Sequence, residues 1–470
     1  MASGMTMLAA LIKSKVSAVV LGPIGLGQAA EIMQLVTLCM VPLGLVTGPA
    51  FVTLIARARG NHEVVQRSYD GSATLILVLG LVLTAAVGLA AGLVFGGTEH
   101  ARAWALLAAT WAIGAAVLAL PAQVLMASGR TREFALFSGS IALALALIVS
   151  AGTFIGKLNG QFVAMAVGPA VLVLVCFPLY RRVLPGLRLT PRALVDGPFV
   201  RSTIVLGVSA LLGGLATQAA LSTIRWSLSG HGGDEANGQF QAAWAVGSAY
   251  FGLVLSGIGS VYFPRFAAAP DARSLSDEIG SAADFVIRTG GPIILVAIAV
   301  REPAIKLLYS GKFAVAAEMV GYQMAGDLAK AVSWAHAGPL LYRGKVRLFL
   351  ITEGIGAGLL ATLSVILVVH TGVQGPSYAY AVTYVVYAFV TALVISRGCG
   401  VTIRWRSVFL ATGFAGVASA AVFLSDRFPI LHVLLIAIAL VWAQRTGQLR
   451  RALLTCRGVA QRALALISAG

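Results

Sequence analysis

Ionisable side chains are scarce in this chain of 470 residues. Only 11% of its residues are charged, against about 25% in an average soluble protein. Hydrophobic residues make up 59% of the chain, and the mean hydropathy is +0.90. Such a composition excludes an ordinary soluble domain and predicts a protein that crosses a membrane many times.

Cysteines are few, and catalytic motifs are missing. The four cysteines show neither CxxC nor Cys/His ligand spacing, so they predict neither a disulfide nor a metal site. The histidines are scattered singly, no Ser/His/Asp group is evident, and no Gly-rich phosphate loop occurs. We therefore expect no enzymatic activity, no cofactor and no ATP-driven pump.

Long apolar stretches recur along the whole chain, and each can cross about 30 Å of hydrocarbon as a helix. Windows of about nineteen residues predict fourteen spans in an all-α, polytopic membrane protein. The spans lie near residues 5–21, 32–56, 72–96, 103–127, 134–156, 161–180, 203–228, 239–263, 282–300, 318–342, 348–369, 376–396, 408–424 and 429–444.

Basic residues outnumber acidic residues by 34 to 17, for a net charge of +17. With the N-terminus inside, 23 of the 34 cations fall in cytoplasmic segments and six in outside loops. This distribution fits the positive-inside rule and places both termini in the cytoplasm. The basic charge therefore indicates membrane topology rather than binding to nucleic acid.

An internal repeat recurs at an offset of 211 to 215 residues. Gly27-Gln28 returns as Gly238-Gln239, and Gly129–Phe134 returns as Gly344–Phe349. The repeat predicts two six-helix bundles around a central cleft, one in residues 1–200 with a basic cytoplasmic linker and one in 201–400. Because six is even, we expect an axis along the membrane normal to relate them. Residues 401–470 add two further helices and a basic cytoplasmic tail.

A few cations fall inside the predicted spans, where each needs an explanation. Lys15 and Arg225 occupy matching places in the two halves, so each lobe offers one cation. Facing each other across a cleft, they would bind a phosphate or another anion. Snorkelling to the outer interface is the alternative, since Trp226 is a typical interfacial residue. Lys13 lies about 200° from Lys15 around the helix, so both cannot point into one cleft.

Asp327 and Lys330 lie in the middle of one span, three residues apart and on one helix face. They can neutralise each other, either as a static ion pair or as a switch that exchanges partners or a proton. Lys330 can also reach Glu353 on the following helix. Both interpretations place the pair toward the interior of the bundle.

Four segments carry a family resemblance: Lys15–Gln28, Tyr262–Arg265, Tyr322–Lys330 and Lys345–Glu353. Together they resemble the Wzx-type polysaccharide flippases, the O-antigen and enterobacterial common antigen-like members of the multidrug/oligosaccharidyl-lipid/polysaccharide exporter superfamily. The resemblance covers roughly residues 8 to 396. Relative to that family the first helix is short before Lys13, so we expect a truncated or misassigned start, and the last two spans exceed a twelve-helix plan.

The resemblance implies a protein of the bacterial inner membrane that moves an undecaprenyl-pyrophosphate-linked glycan from the cytoplasmic to the periplasmic leaflet. It implies that Lys15, Arg225 and Lys330 bind the anionic head group, and that Asp327 and Glu353 act in coupling. A polysaccharide polymerase and a chain-length regulator are the expected protein partners.

Alternative functions come from the same superfamily and from other classes. A peptidoglycan-precursor (lipid II) flippase would share the cationic interior, whereas a drug/cation antiporter would need an acidic one. A membrane glycosyltransferase or polymerase would need a long catalytic loop outside the membrane, and a scaffold would not need buried charges. The sequence therefore favours a flippase.

Overall fold

A computed structural model describes residues 2–47, 51–52, 54–55, 61–96, 98–183, 197–425 and 427–447. The described residues are almost entirely helical, and no strand occurs among them. The helices are α1 (Ala2–Met40), α2 (Gly44–Thr47), α3 (His62–Val94), α4 (Glu99–Ala127), α5 (Thr131–Val183), α6 (Gly197–Ala268), α7 (Ala272–Ala299), α8 (Arg301–Leu308), α9 (Ala314–Tyr342), α10 (Val346–Thr371), α11 (Gly375–Cys399), α12 (Trp405–Ser425) and α13 (Ile430–Arg445).

The predicted spans fall on helix in the described residues, apart from one or two terminal residues of three of them, which confirms the all-α polytopic prediction. Within the described ranges, seven helical stretches are long and apolar enough to cross a membrane. Three of them, of 43, 45 and 54 residues, far exceed the roughly 20 that one crossing requires. Each of the three therefore has room for two crossings and an interruption between them.

Helices α1 and α6 are each interrupted at a glycine with positive φ. Gly22 breaks α1 at φ 68° and ψ −174°, and Gly233 breaks α6 at φ 67° and ψ −170°. This region of the backbone map is essentially restricted to glycine, because a Cβ would clash there. The two residues lie 211 positions apart, so the predicted repeat has the same local backbone in both copies.

The second repeated motif also has one conformation in both copies. After α4, the Gly129 N–H binds the carbonyl oxygen of Met126, and after α9 the Gly344 N–H binds that of Leu341, each at 3.1 Å. Both glycines have φ near +70°, and the next N–H in each copy bonds back across the end of the helix. These are Schellman-type caps, and they end the helices at equivalent positions.

The chain divides into two compact units, and the boundary falls inside α6. Unit 1 comprises the described residues up to Gln241 together with 308–312, and unit 2 comprises 242–307 and the described residues from 313 onward. The predicted lobe boundary at residues 200 and 201 is a different division, and it stays a prediction. In unit 1, α1 packs on α5 and α4, and α3 packs on α4.

In unit 2, α9 is the central helix and packs against α7, α11 and α12. The last two helices belong to this packing, because α13 lies along α7 and the Trp442 ring covers Gly291. The buried Arg301 stabilises their connection. Its guanidinium donates to the Ser425 hydroxyl at 2.8 Å and lies 3.3 Å from His432 Nε2.

Lys157 is the one non-glycine residue with positive φ in the described part of the chain, at φ 50°. Its repeat equivalent, 215 residues later, is Gly372 at φ 64°. With ψ at −131°, Lys157 lies in a sparsely populated backbone region that costs of order 1–3 kcal/mol for a residue with a side chain. We expect Lys157→Gly to stabilise the protein by about 1 kcal/mol, measured as a higher thermal unfolding midpoint in detergent. Gly372→Ala is the matched reverse change and should destabilise it; equal midpoints for both variants would contradict the equivalence.

Candidate functional site

Lys15 lies in the first half of α1 and binds a backbone carbonyl. Its Nζ donates to the carbonyl oxygen of Tyr309 at 2.8 Å, and Ser14 hydrogen bonds with the Tyr309 hydroxyl. Tyr309 belongs to the segment between α8 and α9, and burial raises the pKa of its hydroxyl to about 12. The Lys15 ammonium group therefore donates to a neutral carbonyl, whose oxygen carries only a partial negative charge.

Arg225 is buried in α6, with 3% of its surface exposed, while its neighbour Trp226 is 40% exposed. The arginine therefore does not snorkel to the interface as Trp226 had suggested. Its Nη1 donates to Asn237 Oδ1 at 2.8 Å, and its Nη2 donates to Gln241 Oε1. The Phe240 ring lies 5.3 Å from the guanidinium carbon, a cation–π distance. The Nε atom has no hydrogen-bond partner among the described residues.

The repeat register corrects the expected match between the two cations. The breaks at Gly22 and Gly233 fix the offset at 211 in this region, so Arg225 corresponds to Ser14 and Lys15 to Trp226. Sequence comparison placed the two cations at equivalent positions, but they are one residue apart. Since one residue turns an α-helix by about 100°, the two side chains leave their helices in different directions.

A polar cluster surrounds the point where α1 and α6 are broken. Glu31 interacts electrostatically with Arg225, and its carboxylate accepts a hydrogen bond from Ser229 at 3.2 Å. Gln28 donates to the Asp234 carboxylate at 2.8 Å. Unit 1 therefore contains a buried cation with one carboxylate in electrostatic range and with amide oxygens as its direct ligands.

Two glycines allow the backbones of α1 and α6 to touch at this cluster. A Cβ on Gly27 would overlap the carbonyl oxygen of Asp234, and a Cβ on Gly238 would overlap that of Pro23. The contacts are reciprocal, because Gly27 and Gly238 are repeat equivalents, as are Pro23 and Asp234. The Gly-Gln pairs of the sequence repeat therefore mark a close helix contact.

Unit 2 contains the second cluster, around Asp327 in the middle of α9. Asp327 is 1% exposed, and its carboxylate accepts hydrogen bonds from the hydroxyls of Tyr250 and Tyr380. Lys330 Nζ donates to the same Tyr380 hydroxyl at 2.8 Å. The lysine and the aspartate face the interior as predicted, and Tyr380 relays between them.

Aromatic rings enclose the Lys330 ammonium. Nζ lies 4.6 Å from the Phe251 ring centroid, 4.8 Å from Tyr384, 5.0 Å from Tyr380 and 5.9 Å from Trp244. Each ring presents negative electrostatic potential from its face, and a desolvated contact of this kind contributes about 2 kcal/mol. The cage and Asp327 together explain how a cation is tolerated at this depth.

Glu353 on α10 completes the cluster. It accepts a hydrogen bond of 2.6 Å from the Tyr387 hydroxyl and interacts electrostatically with Lys330, as its sequence position had suggested. Two carboxyl groups therefore share one lysine inside unit 2. Such an arrangement can exchange partners or take up a proton, which keeps the coupling role of Asp327 and Glu353 as a prediction.

Several neighbours of these charges were not identified from the sequence. On the unit 2 side they include three tyrosines of α11 at positions 380, 384 and 387, a spacing of four and three that puts them on one helix face. That spacing is the sequence pattern from which these tyrosines could have been identified. Asn237 and Gln241, by contrast, contact Arg225 only because α6 is interrupted at Gly233. No local sequence pattern predicts this contact.

No family model matches this chain. It is 25% identical to the Lipid III flippase of Escherichia coli (strain K12) over 408 residues, which cover 85% of this chain and 95% of the relative. Among solved structures, the Lipid II flippase MurJ in an inward closed conformation matches with a TM-score of 0.70 at 13% identity, over 96% of this chain and 98% of MurJ. An inward-facing multidrug resistance MATE family transporter of the MOP superfamily matches with a TM-score of 0.64 at 17% identity, over 85% and 94%.

The chain has the fold of these transporters. The expected all-α, polytopic architecture is thereby confirmed, and no strand occurs among the described residues. The fold is shared by a flippase and a drug transporter, so it does not select the cargo. The class of cargo has to be inferred from the charged side chains in the interior of the protein.

The contact between α1 and α6 leaves no room for a larger residue at Gly27 or Gly238, so a larger residue at either position should destabilise the protein. Gly27→Ala or Gly238→Ala forces α1 and α6 apart, and we expect each to cost about 1–3 kcal/mol. Gly230→Ala is the control, because it lies in α6 with nothing within 4 Å of the added Cβ. Thermal unfolding of the purified proteins measures the difference. Equal midpoints for Gly27→Ala and Gly230→Ala would contradict the contact.

The Asp327–Tyr380–Lys330 relay predicts strong coupling between the two charges. Lys330→Met leaves the Asp327 carboxylate buried without its counterion, which costs about 3–5 kcal/mol. Asp327→Asn should cost less, because Glu353 still interacts with Lys330. The double variant should be less destabilised than the sum, by an interaction energy of about 0.5–3 kcal/mol. A double-mutant cycle on unfolding free energy measures this, and additive effects would show that the two charges do not interact.

Proposed function

We propose that this protein flips an undecaprenyl-pyrophosphate-linked oligosaccharide from the cytoplasmic to the periplasmic leaflet of a bacterial inner membrane, for surface polysaccharide assembly. The main support is the similarity to the Lipid III flippase, which extends over 95% of that relative. We place both termini in the cytoplasm, from the bias of positive charge between the loops. No bond is made or broken, so the chain acts as a transporter and not as an enzyme.

The ligands of the buried cations support an anionic cargo. Lys15 donates to the Tyr309 carbonyl and Arg225 donates to two side-chain amides, and these three acceptors are neutral. The Glu31 carboxylate also interacts electrostatically with Arg225. A hydrogen bond to an ionised oxygen is roughly twice as strong as one to a neutral oxygen. A pyrophosphate can therefore displace these acceptors, and Arg225 Nε adds a donor without a partner among the described residues.

Transport would proceed by alternating access. Lys15 and Arg225 bind the pyrophosphate when the protein is open to the cytoplasm and release it when the protein is open to the periplasm, and Lys330 stays a predicted ligand of the cargo. Asp327 and Glu353 exchange Lys330 between them as the state changes. The membrane potential, inside negative, favours outward movement of an anion by roughly 2.3 kcal/mol per charge per 100 mV.

Two other cargoes of this fold remain as alternatives. A lipid II flippase is supported by the match to MurJ, and it would use the same cations for the same pyrophosphate chemistry. A drug/cation antiporter is supported by the match to the MATE transporter. The antiporter is disfavoured, because Lys15 and Arg225 would repel a cationic drug. An assay that offers all three cargoes separates these functions.

The test is translocation in proteoliposomes that contain a lipid-linked oligosaccharide, lipid II or a cationic drug. We expect the first to be transported, and expect Lys15→Met with Arg225→Met to slow it at least about 10-fold, since each charged hydrogen bond contributes about 1.5–3 kcal/mol. Lys306→Met is the control, because Lys306 is exposed on α8. Undiminished export by the double variant would rule out the cationic site, and transport of the drug alone would overturn the proposed function.

A further inference from the structure

Lys13 lies two residues before Lys15 but points elsewhere in unit 1. It lines a partly open cavity of about 250 Å³ between α1, α4 and α5. The other residues of the wall are nearly all apolar. They include Ala9, Ala10, Trp111, Ala146, Val149 and Met165. The predicted divergence of the two lysines is confirmed, and the cavity is separate from the Lys15 contact with Tyr309.

The surroundings of Lys13 give its amine no counterion. Among the side chains that the structure describes, no hydrogen bond or ion pair involves Lys13. This contrasts with Lys15, Arg225 and Lys330, each of which binds oxygen. An ammonium group in an apolar cavity at membrane depth is strongly unfavourable unless an anion joins it. The cavity thus offers an amine that no described side chain binds and that an anion from outside the chain can bind.

The size and the lining of the cavity limit what that partner can be. A cavity of about 150 Å³ holds a benzene molecule, and sites for drug-sized ligands begin at about 300 Å³. The Lys13 cavity lies between these sizes and is partly open, so the part of a ligand that fits inside it is a short length of one apolar chain. In a single-chain lipid with an anionic head group, the chain can contact the apolar walls and the head group can bind Lys13.

We propose that this cavity binds the phosphate-proximal end of a single-chain isoprenoid phosphate, with the phosphate on Lys13 and the first isoprene units against Ala146, Val149 and Met165. The inference rests on the proposed function for the identity of the lipid, but the anionic site itself does not depend on transport. Because residue 13 lies in the middle of predicted span 5–21, the site would hold the lipid phosphate away from both membrane surfaces. It would then be an intermediate position between the two leaflets.

Binding of farnesyl pyrophosphate to the protein in neutral-lipid nanodiscs tests this site. All variants are made in the Lys15→Met/Arg225→Met background, so that the proposed transport site does not contribute. We expect Lys13→Met to raise the Kd at least 10-fold and Lys13→Arg to stay within about threefold of the parent. Ala142→Leu keeps the charge but fills the cavity, and it should also raise the Kd at least 10-fold. Lys306→Met is the matched lysine control and should leave the Kd unchanged.

Competitors and labelling distinguish the possible ligands. Inorganic pyrophosphate, farnesol and phosphatidylglycerol should each compete at least 10-fold less well, because each lacks the anion, the chain or the single-chain shape. A photoreactive farnesyl pyrophosphate should label peptides of α4 or α5 that contain Trp111 or Met165. Equal competition by phosphatidylglycerol, or an unchanged Kd in Lys13→Met with a normal gel-filtration profile, would overturn the proposal. Lys13-dependent binding without any glycan-lipid translocation would refute the proposed function and leave the anionic site standing.

Discussion

An ionised side chain inside a membrane loses its hydration, and the protein must replace that hydration or neutralise the charge. The interior of this chain shows several solutions to that constraint. Lys15 uses a backbone carbonyl, Arg225 uses side-chain amides and an aromatic face, and Lys330 uses an aromatic cage with a phenol and a carboxylate. Arg301 contacts Ser425 at the end of α12 and His432 near the start of α13. The packing around each charge follows from the need to supply these partners.

The same constraint acts on the backbone, whose polar groups have no water to bind at membrane depth. Broken helices are tolerated there only where other protein groups cover the break. The breaks at Gly22 and Gly233 fulfil this condition, because Gly27 and Gly238 let the opposite backbones approach and because Gln28, Asn237 and Asp234 bond across the contact. A break of this kind thus creates both a packing contact and a concentration of polar groups.

The neutral partners of the cations connect packing with the proposed transport. A lysine bound to a carboxylate would release it only at a high energetic cost, whereas a carbonyl or an amide yields to a phosphate oxygen. Unit 2 differs, since Lys330 is held between two carboxyl groups and a phenol. The two clusters therefore suit different tasks, anion binding around Lys15 and Arg225 and a change of protonation or partner around Asp327 and Glu353.

The sequence by itself determined the all-α membrane architecture, the positions of the spans and the duplication, because hydropathy and glycine motifs are local properties. It also identified Asp327 and Lys330 as interior charges, since three-residue spacing defines a helix face. Only the tertiary structure decided the partners of those charges. Tyr250 is 77 residues from Asp327 and Tyr309 is 294 residues from Lys15. Lys13 and Lys15 separate because they face different parts of the protein. The reason is physical: a helix fixes which residues share a face, but packing fixes what that face meets.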